Sequence, residues 1–296
     1  MIGSIAFAGR SSLLAGGHRC HGAELSSRIS QPVFRTPRAP CFKRHSGRSC
    51  TVRAGELVLD RRALQTMAAN RIKAELALED LLQGNQRFQQ GGLRNCVVDS
   101  RRFDELKGGQ APPAIVLSCS DSRVPPEMVM DQGMGDLFVV RVAGNVIDDN
   151  SLGSMLYAIA NLGSRCVMIL GHSKCGACTA AKGAFISATS GQGDVSSAGD
   201  PVSKLLSRLM DPCAKLTGRS GNGSQDLESS LGVEAIVEEN SRHVAELTLQ
   251  NLQENLAGNG TLAEELVVAA AKYDLDHGTV TVLEKRWIEN GSVQVQ

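Results

Sequence analysis

An α/β fold, with a central and mostly parallel β-sheet flanked by helices and an N-terminal helical arm, is predicted by three features of the sequence. Two short apolar runs, Ala114 to Leu117 and Cys166 to Leu170, have the length and composition of buried strands, and each passes directly into a polar turn. Together with their neighbours they follow the order β, β, α, β, α, which implies parallel pairing through right-handed crossovers. The residues able to do chemistry gather just after the two runs, at strand carboxyl ends, where open α/β sheets place their ligands.

Charge and cysteine usage bound the function. The chain has 296 residues with 31 basic and 31 acidic side chains. Residues 1–54 hold nine Lys or Arg and one acid, Glu24, which leaves 22 basic and 30 acidic residues in 55–296. The Arg- and Ser-rich leader has no long apolar run and reads as an organelle transit peptide, with Val52, Arg53, Ala54 resembling a plastid cleavage site. A plastid stroma is therefore the expected location, a mitochondrial matrix the nearest rival, and a merely disordered basic tail the plainest alternative. The acidic body, 55–296, reads as a single α/β domain. It has no basic excess to attract nucleic acid and no run of the about 18 apolar residues that a membrane span needs. Of nine cysteines, Cys20, Cys41 and Cys50 fall in the leader. A body of this size needs no disulfide staples, and Cys96, Cys166 and Cys213 have no chemical company, so they read as small buried hydrophobes.

In chain order, Asp60 to Phe88 carries Leu64, Met67, Ala68, Ile72, Leu78, Leu81 and Leu82 at helical spacing and predicts an amphipathic helix in two pieces, ended by Gly91 and Gly92. A charged segment, Arg101 to Lys107, leads through Pro112 and Pro113 into the first strand. A second strand is expected over Asp136 to Val142, a turn at Gly144 and Asn145, then a helix over Leu152 to Leu162 with Ser151 as its N-cap. The Cys166 run is the third strand; Gly171 to Gly176 is its turn, and another helix starts near Cys175. Residues 187–200 and 217–230 read as surface loops around a short helix, Val202 to Met210. A long amphipathic helix over Glu234 to Leu256 precedes strands at Leu266 to Ala270 and Thr279 to Leu283, with Asp276, His277 and Gly278 turning between them.

The chemistry concentrates in two of these turns. Cys119 and the His172-x-x-Cys175 pair supply three soft or borderline ligands, a set that suits one tetrahedral Zn²⁺ per chain with its fourth position open. Two thiolates neutralise the metal's charge, so a water bound to it should titrate above the about 7 of a three-imidazole site, and activity should climb toward alkaline pH. Asp121 could compete for the open position or accept a proton there. Arg123 decides between these, because a bidentate guanidinium holds a carboxylate ionised and turned away. The Cys175-Gly-Ala-Cys178 spacing at a helix start also fits a thiol-disulfide pair, but that reading leaves Cys119, Asp121, Arg123 and His172 without roles.

The motifs Cys-Ser-Asp-Ser-Arg at 119–123 and Gly-His-Ser-Lys-Cys-Gly at 171–176 resemble those of the β-class carbonic anhydrases. The resemblance extends to residues 77–88, 139–145 and 273–283 and so covers nearly all of the body. It implies the β-carbonic anhydrase fold, zinc on Cys119, His172 and Cys175, and a catalytic pair in Asp121 and Arg123. It further implies substrate contacts from Gln110, Phe138, Ala143, Tyr157 and the backbone N–H of Gly176. By the residues alone, Phe138 and Tyr157 read as core and Gln110 as an ordinary loop residue. The implied reaction is reversible CO₂ hydration to bicarbonate and a proton by attack of zinc-bound hydroxide, as part of inorganic carbon supply in an organelle. Relatives with the same ligands act on carbon disulfide or carbonyl sulfide, and a non-catalytic bicarbonate-binding role keeps the same residues. The resemblance also implies a homodimer or higher homo-oligomer, with residues 60–88 as an arm laid over the partner. Ala177, Cys178 and Ala270 depart from the family pattern in small turns and packing.

Overall fold

Strands sandwiched between helices must bury both faces, and β1 (Ala114–Ser118) and β3 (Cys166–His172) are buried along their whole length. The computed structural model describes residues 61–94, 100–191, 199–219, 231–256, 265–289 and 292–296. The leader with its cleavage site, and Cys96, lie outside the described residues. β1 pairs in parallel with β2 (Leu137–Arg141) on one side and β3 on the other, and β3 pairs in parallel with β4 (Val267–Tyr273). β5 (Val280–Glu289) and β6 (Ser292–Val295) then add antiparallel, giving the sheet order β2-β1-β3-β4-β5-β6. The mostly parallel α/β sheet expected from the sequence is thus present, extended by two strands' worth of antiparallel edge. β5 runs six residues beyond the expected Leu283, and β6 was not anticipated, because a four-residue Ser-Val-Gln-Val run carries too little pattern.

Alternation along the strands divides the core into two layers. On one face Val116, Met168, Leu170 and Ala269 meet Ala74, Ala77, Leu78 and Leu81 of helix α1 (Arg61–Gln89). α1 is one continuous helix, where two pieces were expected. Its polar middle contains good helix formers and an Arg71–Glu75 pair at 3.8 Å one turn apart, so nothing breaks it. Gly91, with φ +67°, ends it, and the Gly92 N–H bonds back to the Arg87 carbonyl at 2.9 Å. The charged segment before β1 is itself a short helix, α2 (Ser100–Leu106). α1 also packs across a short helix, α3 (Pro126–Val129), which leaves the first functional turn. A Cβ on Gly84 would lie 1.8 Å from the Met130 carbonyl oxygen, and Asn85 Nδ2 bonds the Val129 and Gly278 carbonyls at 2.9 Å each.

On the other face Ile115, Leu117, Val167 and Ile169 meet α4 (Asp149–Tyr157), its π-helical continuation over 158–162, and α8 (Val233–Leu256). The cap of α4 is Asp148, three positions before Ser151, where the sequence predicts it. Asp148 and Ser151 form a reciprocal capping box, with the Ser151 N–H on Asp148 Oδ1 at 2.8 Å and the Asp148 N–H on Ser151 Oγ at 2.8 Å. A third cluster sits beyond the carboxyl ends of the strands. There α5 (Gly176–Thr189), α7 (Met210–Arg219) and α8 enclose Cys119, Cys175, Cys178, Leu209, Cys213, Ile236 and Val237. The single helix expected over 202–210 is two, α6 (Pro201–Ser207), capped by Asp200, and α7, which continues through residues read as loop because Cys213 anchors it in this cluster. Among the described residues no helix is long and apolar enough to cross a membrane.

Candidate metal centre

The site forms where β1 and β3, paired in register, release their chains at neighbouring points. Cys119 follows β1 immediately. His172 is the last residue of β3, opposite Tyr273 of β4, one step earlier than a turn residue would be. From there the chain turns sharply through Lys174, which holds a left-handed φ of +57°, and Cys175 becomes the residue before the first turn of α5. That turn is tied from outside: the Ser173 N–H bonds the Tyr273 carbonyl at 2.9 Å, the Leu275 N–H bonds Ser173 Oγ at 2.8 Å, and the Lys174 N–H bonds Glu234 Oε1 at 2.9 Å.

Cys119, His172 and Cys175 are all buried, and their ligand atoms lie within 4.8 Å of one another. His172 Nδ1 is 2.9 Å from the Ser173 carbonyl oxygen. A carbonyl only accepts, so Nδ1 carries the proton and the Nε2 lone pair is aimed into the site. Nε2 is buried and has no hydrogen-bond partner. A buried bare lone pair beside two buried sulfurs is costly unless a cation joins them, and this donor set of two sulfurs and one nitrogen fits Zn²⁺. The thiols hold their protons tightly on their own. The Cys119 thiol is pushed up to about 12 by its hydrogen bond to Cys175 and then by burial. At Cys175 the bond to Cys119 pulls downward, but contact with Cys178 and burial outweigh it and leave the thiol at about 11. A divalent cation reverses that balance, because it stabilises the thiolates.

Asp121 and Arg123 stand beside this group. Arg123 Nε donates to Asp121 Oδ1 at 2.9 Å, Nη2 to Oδ2 at 2.7 Å, and the Arg123 backbone N–H to Oδ1 at 3.0 Å. The guanidinium's bonds hold the carboxyl well below the usual carboxylate range. Asp121 Oδ2 lies 3.8 Å from His172 Nε2, so the carboxylate borders the space that the three ligands face.

Two residues of the 139–145 stretch, to which the sequence by itself assigns no role at the site, complete the support. Arg141, at the end of β2, bonds the Cys119 carbonyl through Nε at 3.0 Å and the Asp121 carbonyl through Nη2 at 2.6 Å, fixing the backbone of the first motif. A lone charge ending an apolar strand was the available signal. The Gly144 N–H donates to Cys119 Sγ at 3.3 Å. Ala143, half-buried, precedes that glycine, and Gly176, exposed, opens α5 directly after Cys175, so both lie at the site.

Gln110, Phe138 and Tyr157 are not brought to the ligands within one chain. Gln110 is exposed and lies two residues before Pro112, whose carbonyl accepts from Ser164 Oγ at 2.6 Å ahead of β3, so it sits at the opposite end of the sheet from Cys119. Phe138 pairs with Ile115 near the start of β1 and packs against the second core layer, as the residue pattern by itself suggests. Tyr157, at the end of α4, is 54% exposed and so is not core, and the next residues bond the segment ahead of β3, with the Ser164 N–H on the Ala158 carbonyl at 3.3 Å, which puts it at the end of the sheet away from the ligands.

An α/β sheet whose strand ends present a buried Cys-His-Cys group beside a fixed Asp-Arg pair defines a class of protein with a site able to hold a metal ion. Residues 114–280 match the family model described as carbonic anhydrase. The chain belongs to the carbonic anhydrase family, in its β class. It is 43% identical over 109 residues to carbonic anhydrase 2 of Mycobacterium tuberculosis, covering 37% of this chain and 53% of that protein. It is 42% identical over 108 residues to the carbonic anhydrase of Synechococcus elongatus, covering 34% of this chain and 38% of that one. The chain thus spans about half the length, or less, of these curated relatives. In fold it is similar to the Coccomyxa β-carbonic anhydrase solved in complex with acetazolamide, with a TM-score of 0.51 and 23% identity over 63% of this chain and 78% of that one.

Proposed function

We propose that this protein catalyses the reversible hydration of CO₂ to bicarbonate and a proton, with Zn²⁺ on Cys119, His172 and Cys175. The observation that carries the reading is the buried Nε2 of His172, fixed as a lone pair and facing two sulfurs within 4.8 Å. When bound, the ion would supply the Lewis acidity that makes a hydroxide nucleophile of water near neutral pH. Asp121, held ionised by Arg123, would orient the attacking group by accepting a hydrogen bond from it, since both of its oxygens are gripped by the guanidinium and spared from metal ligation. The Gly176 N–H, at the first turn of α5, is free of an intrahelical partner by position and would receive a carbonyl or bicarbonate oxygen.

Gln110, Phe138 and Tyr157 would meet a metal site only across a subunit boundary, which ties the substrate-pocket reading to a homodimer or higher homo-oligomer. Apolar side chains left on the surface support such an assembly: Ile72 and Leu76 on α1, Phe103, Met128, Met134 and Tyr157 are each 47% to 59% exposed. The basic leader supports a plastid address, and with it a role in organellar carbon supply. A fluorescent fusion of residues 1–60 that stays in the cytosol would overturn that part.

The test of the activity is stopped-flow CO₂ hydration from about pH 6.5 to 9, with zinc measured in the same sample and Cys175→Ser beside it. Activity that tracks about one zinc per chain and vanishes in the variant is expected. Full zinc without hydration at any pH would overturn it in favour of sulfur analogues of CO₂ or of bicarbonate binding alone, and a zinc-free protein with a reducible Cys175–Cys178 pair would favour the thiol-disulfide reading.

A further inference from the structure

Among the described residues, the buried side-chain polar atoms without a hydrogen-bond partner are His172 Nε2, Asn145 Nδ2 and Asn240 Oδ1. The first belongs to the ligand group. The other two mark a place the ligand list does not include: the turn over 143–145 and the face of α8 that presses on it.

That turn is in a demanding conformation. Gly144 and Asn145 are consecutive residues with positive φ, +68° and +42°, and both are buried. Asn145 is not a glycine, so its left-handed backbone costs energy that the surroundings must offset. A Cβ on Gly144 would come within 3.1 Å of Leu209 and 3.2 Å of Ala177, which shows how closely the turn is packed. Its result is one hydrogen bond, from the Gly144 N–H to Cys119 Sγ at 3.3 Å. The tether comes from 96 residues away. Asn240, fully buried on α8, donates from Nδ2 to the Gly144 carbonyl at 2.8 Å. One turn of the same helix face, Val237 and Ser241, closes on Gly171, the residue before ligand His172. A Cβ there would lie 2.5 Å from Ser241 Oγ and 2.9 Å from Val237 Cγ1.

The geometry points to Asn240 as a positioning residue of the metal centre: its amide holds the left-handed Gly144 turn so that the Gly144 N–H stays on the Cys119 sulfur. This rests on the reading of Cys119, His172 and Cys175 as metal ligands. A hydrogen bond to a ligating sulfur draws charge from it, so the bond tunes how strongly Cys119 donates to a bound ion. Asn240 touches neither substrate nor ligand, and acts only through Gly144.

The test uses the Co²⁺-loaded full chain, in which the sulfur-to-metal charge-transfer band reads the electron density on the thiolates. Asn240→Leu keeps the approximate volume and removes the donor. The band is expected to move to longer wavelength and metal affinity to fall about 10- to 100-fold, the usual cost of losing an outer partner of a ligand. Thr248→Val is the control, because Thr248 is buried on the same helix and bonds the Val244 carbonyl at 2.7 Å. It is expected to lower the melting temperature with the band unmoved. An unmoved band in Asn240→Leu, or an equal move in Thr248→Val, overturns the inference while full Co²⁺ loading leaves the metal reading intact. A chain that binds no Co²⁺ overturns both. Should Asn240→Leu not fold, the ¹¹³Cd-loaded wild-type chain decides by NMR: scalar coupling from the Gly144 amide proton to ¹¹³Cd through the sulfur supports the inference, and its absence with metal bound overturns it.

Discussion

Arg123 grips both carboxylate oxygens of Asp121, with bonds of 2.9 and 2.7 Å, and adds its own backbone N–H at 3.0 Å. The pair is closed by residues two apart in the chain, so its geometry is set locally and does not depend on distant packing. What distant packing decides is where the pair stands, 3.8 Å from a ligand nitrogen.

Removing the grip should change the metal's surroundings. In Arg123→Ala the carboxylate regains its freedom to turn toward a bound ion, and CO₂ hydration near neutral pH is expected to fall about 10- to 100-fold. X-ray absorption on the zinc-loaded variant should show an added carboxylate oxygen. Unchanged coordination together with unchanged activity would remove Arg123 from this role. Arg123→Lys should rescue little, because an ammonium cannot reproduce the planar two-pronged contact.

Asp121 also makes a stability prediction with a defined sign. Its carboxyl lies below its ordinary 3.8 in the folded chain, so the fold favours the ionised form. The contribution is complete above that value and is lost as pH falls through the lower folded value. In metal-free, reduced protein, the melting-temperature gap between wild type and Asp121→Asn should be widest above about pH 5 and narrow as pH drops below about 4. A gap that grew on acidification would contradict the assignment.

Metal uptake should release protons. With the two thiols at about 12 and about 11 in the absence of an ion, both remain protonated at neutral pH and must ionise to ligate. Calorimetric titration in buffers of different ionisation enthalpy should therefore find about two protons released per Zn²⁺, with affinity rising steeply with pH. Release of none would mean that the sulfurs are not ligands.

The close approach of α8 to β3 gives a packing prediction. Gly171→Ala would set a methyl 2.5 Å from Ser241 Oγ and 2.9 Å from Val237 Cγ1. The helix must shift, at a cost of about 1–3 kcal/mol, read by urea unfolding. Because the same helix face carries Asn240, metal affinity should weaken in the same variant. Gly153→Ala, inside α4 where a Cβ meets nothing within 4 Å, should leave metal affinity unchanged and raise stability by up to about 1 kcal/mol, because Ala is the better helix former.

Much of this was legible in residue order. The two apolar runs are strands, the candidate ligands Cys119, His172 and Cys175 gather at their carboxyl ends, and the Asp-Arg pair is formed. The misreadings have specific causes. The sequence predicts α1 in two pieces because its polar middle interrupts the apolar stripe, although helix propensity and the Arg71–Glu75 pair carry it through. The sequence reads Ser151 as a cap where the structure makes it the reciprocal partner of one, since either residue of a capping box looks like its start. The roles of Arg141, which lies within the 139–145 stretch, and of Asn240 are not legible in the sequence: each acts on a backbone carbonyl, and a carbonyl leaves no trace there.

By itself the sequence determined the donor set, its spacing and the class of fold, because His172 and Cys175 share one tight turn, Asp121 and Arg123 sit two apart, and hydrophobic runs of strand length bury themselves in only a few ways. The tertiary structure alone decided which nitrogen of His172 faces inward, which backbone N–H rests on Cys119, and that Gln110, Phe138 and Tyr157 stand apart from the ligands of their own chain. The reason is range. Local spacing is fixed by bond geometry, whereas contacts across 96 residues depend on how α8 settles on the sheet, and that is set by the packing of the whole core.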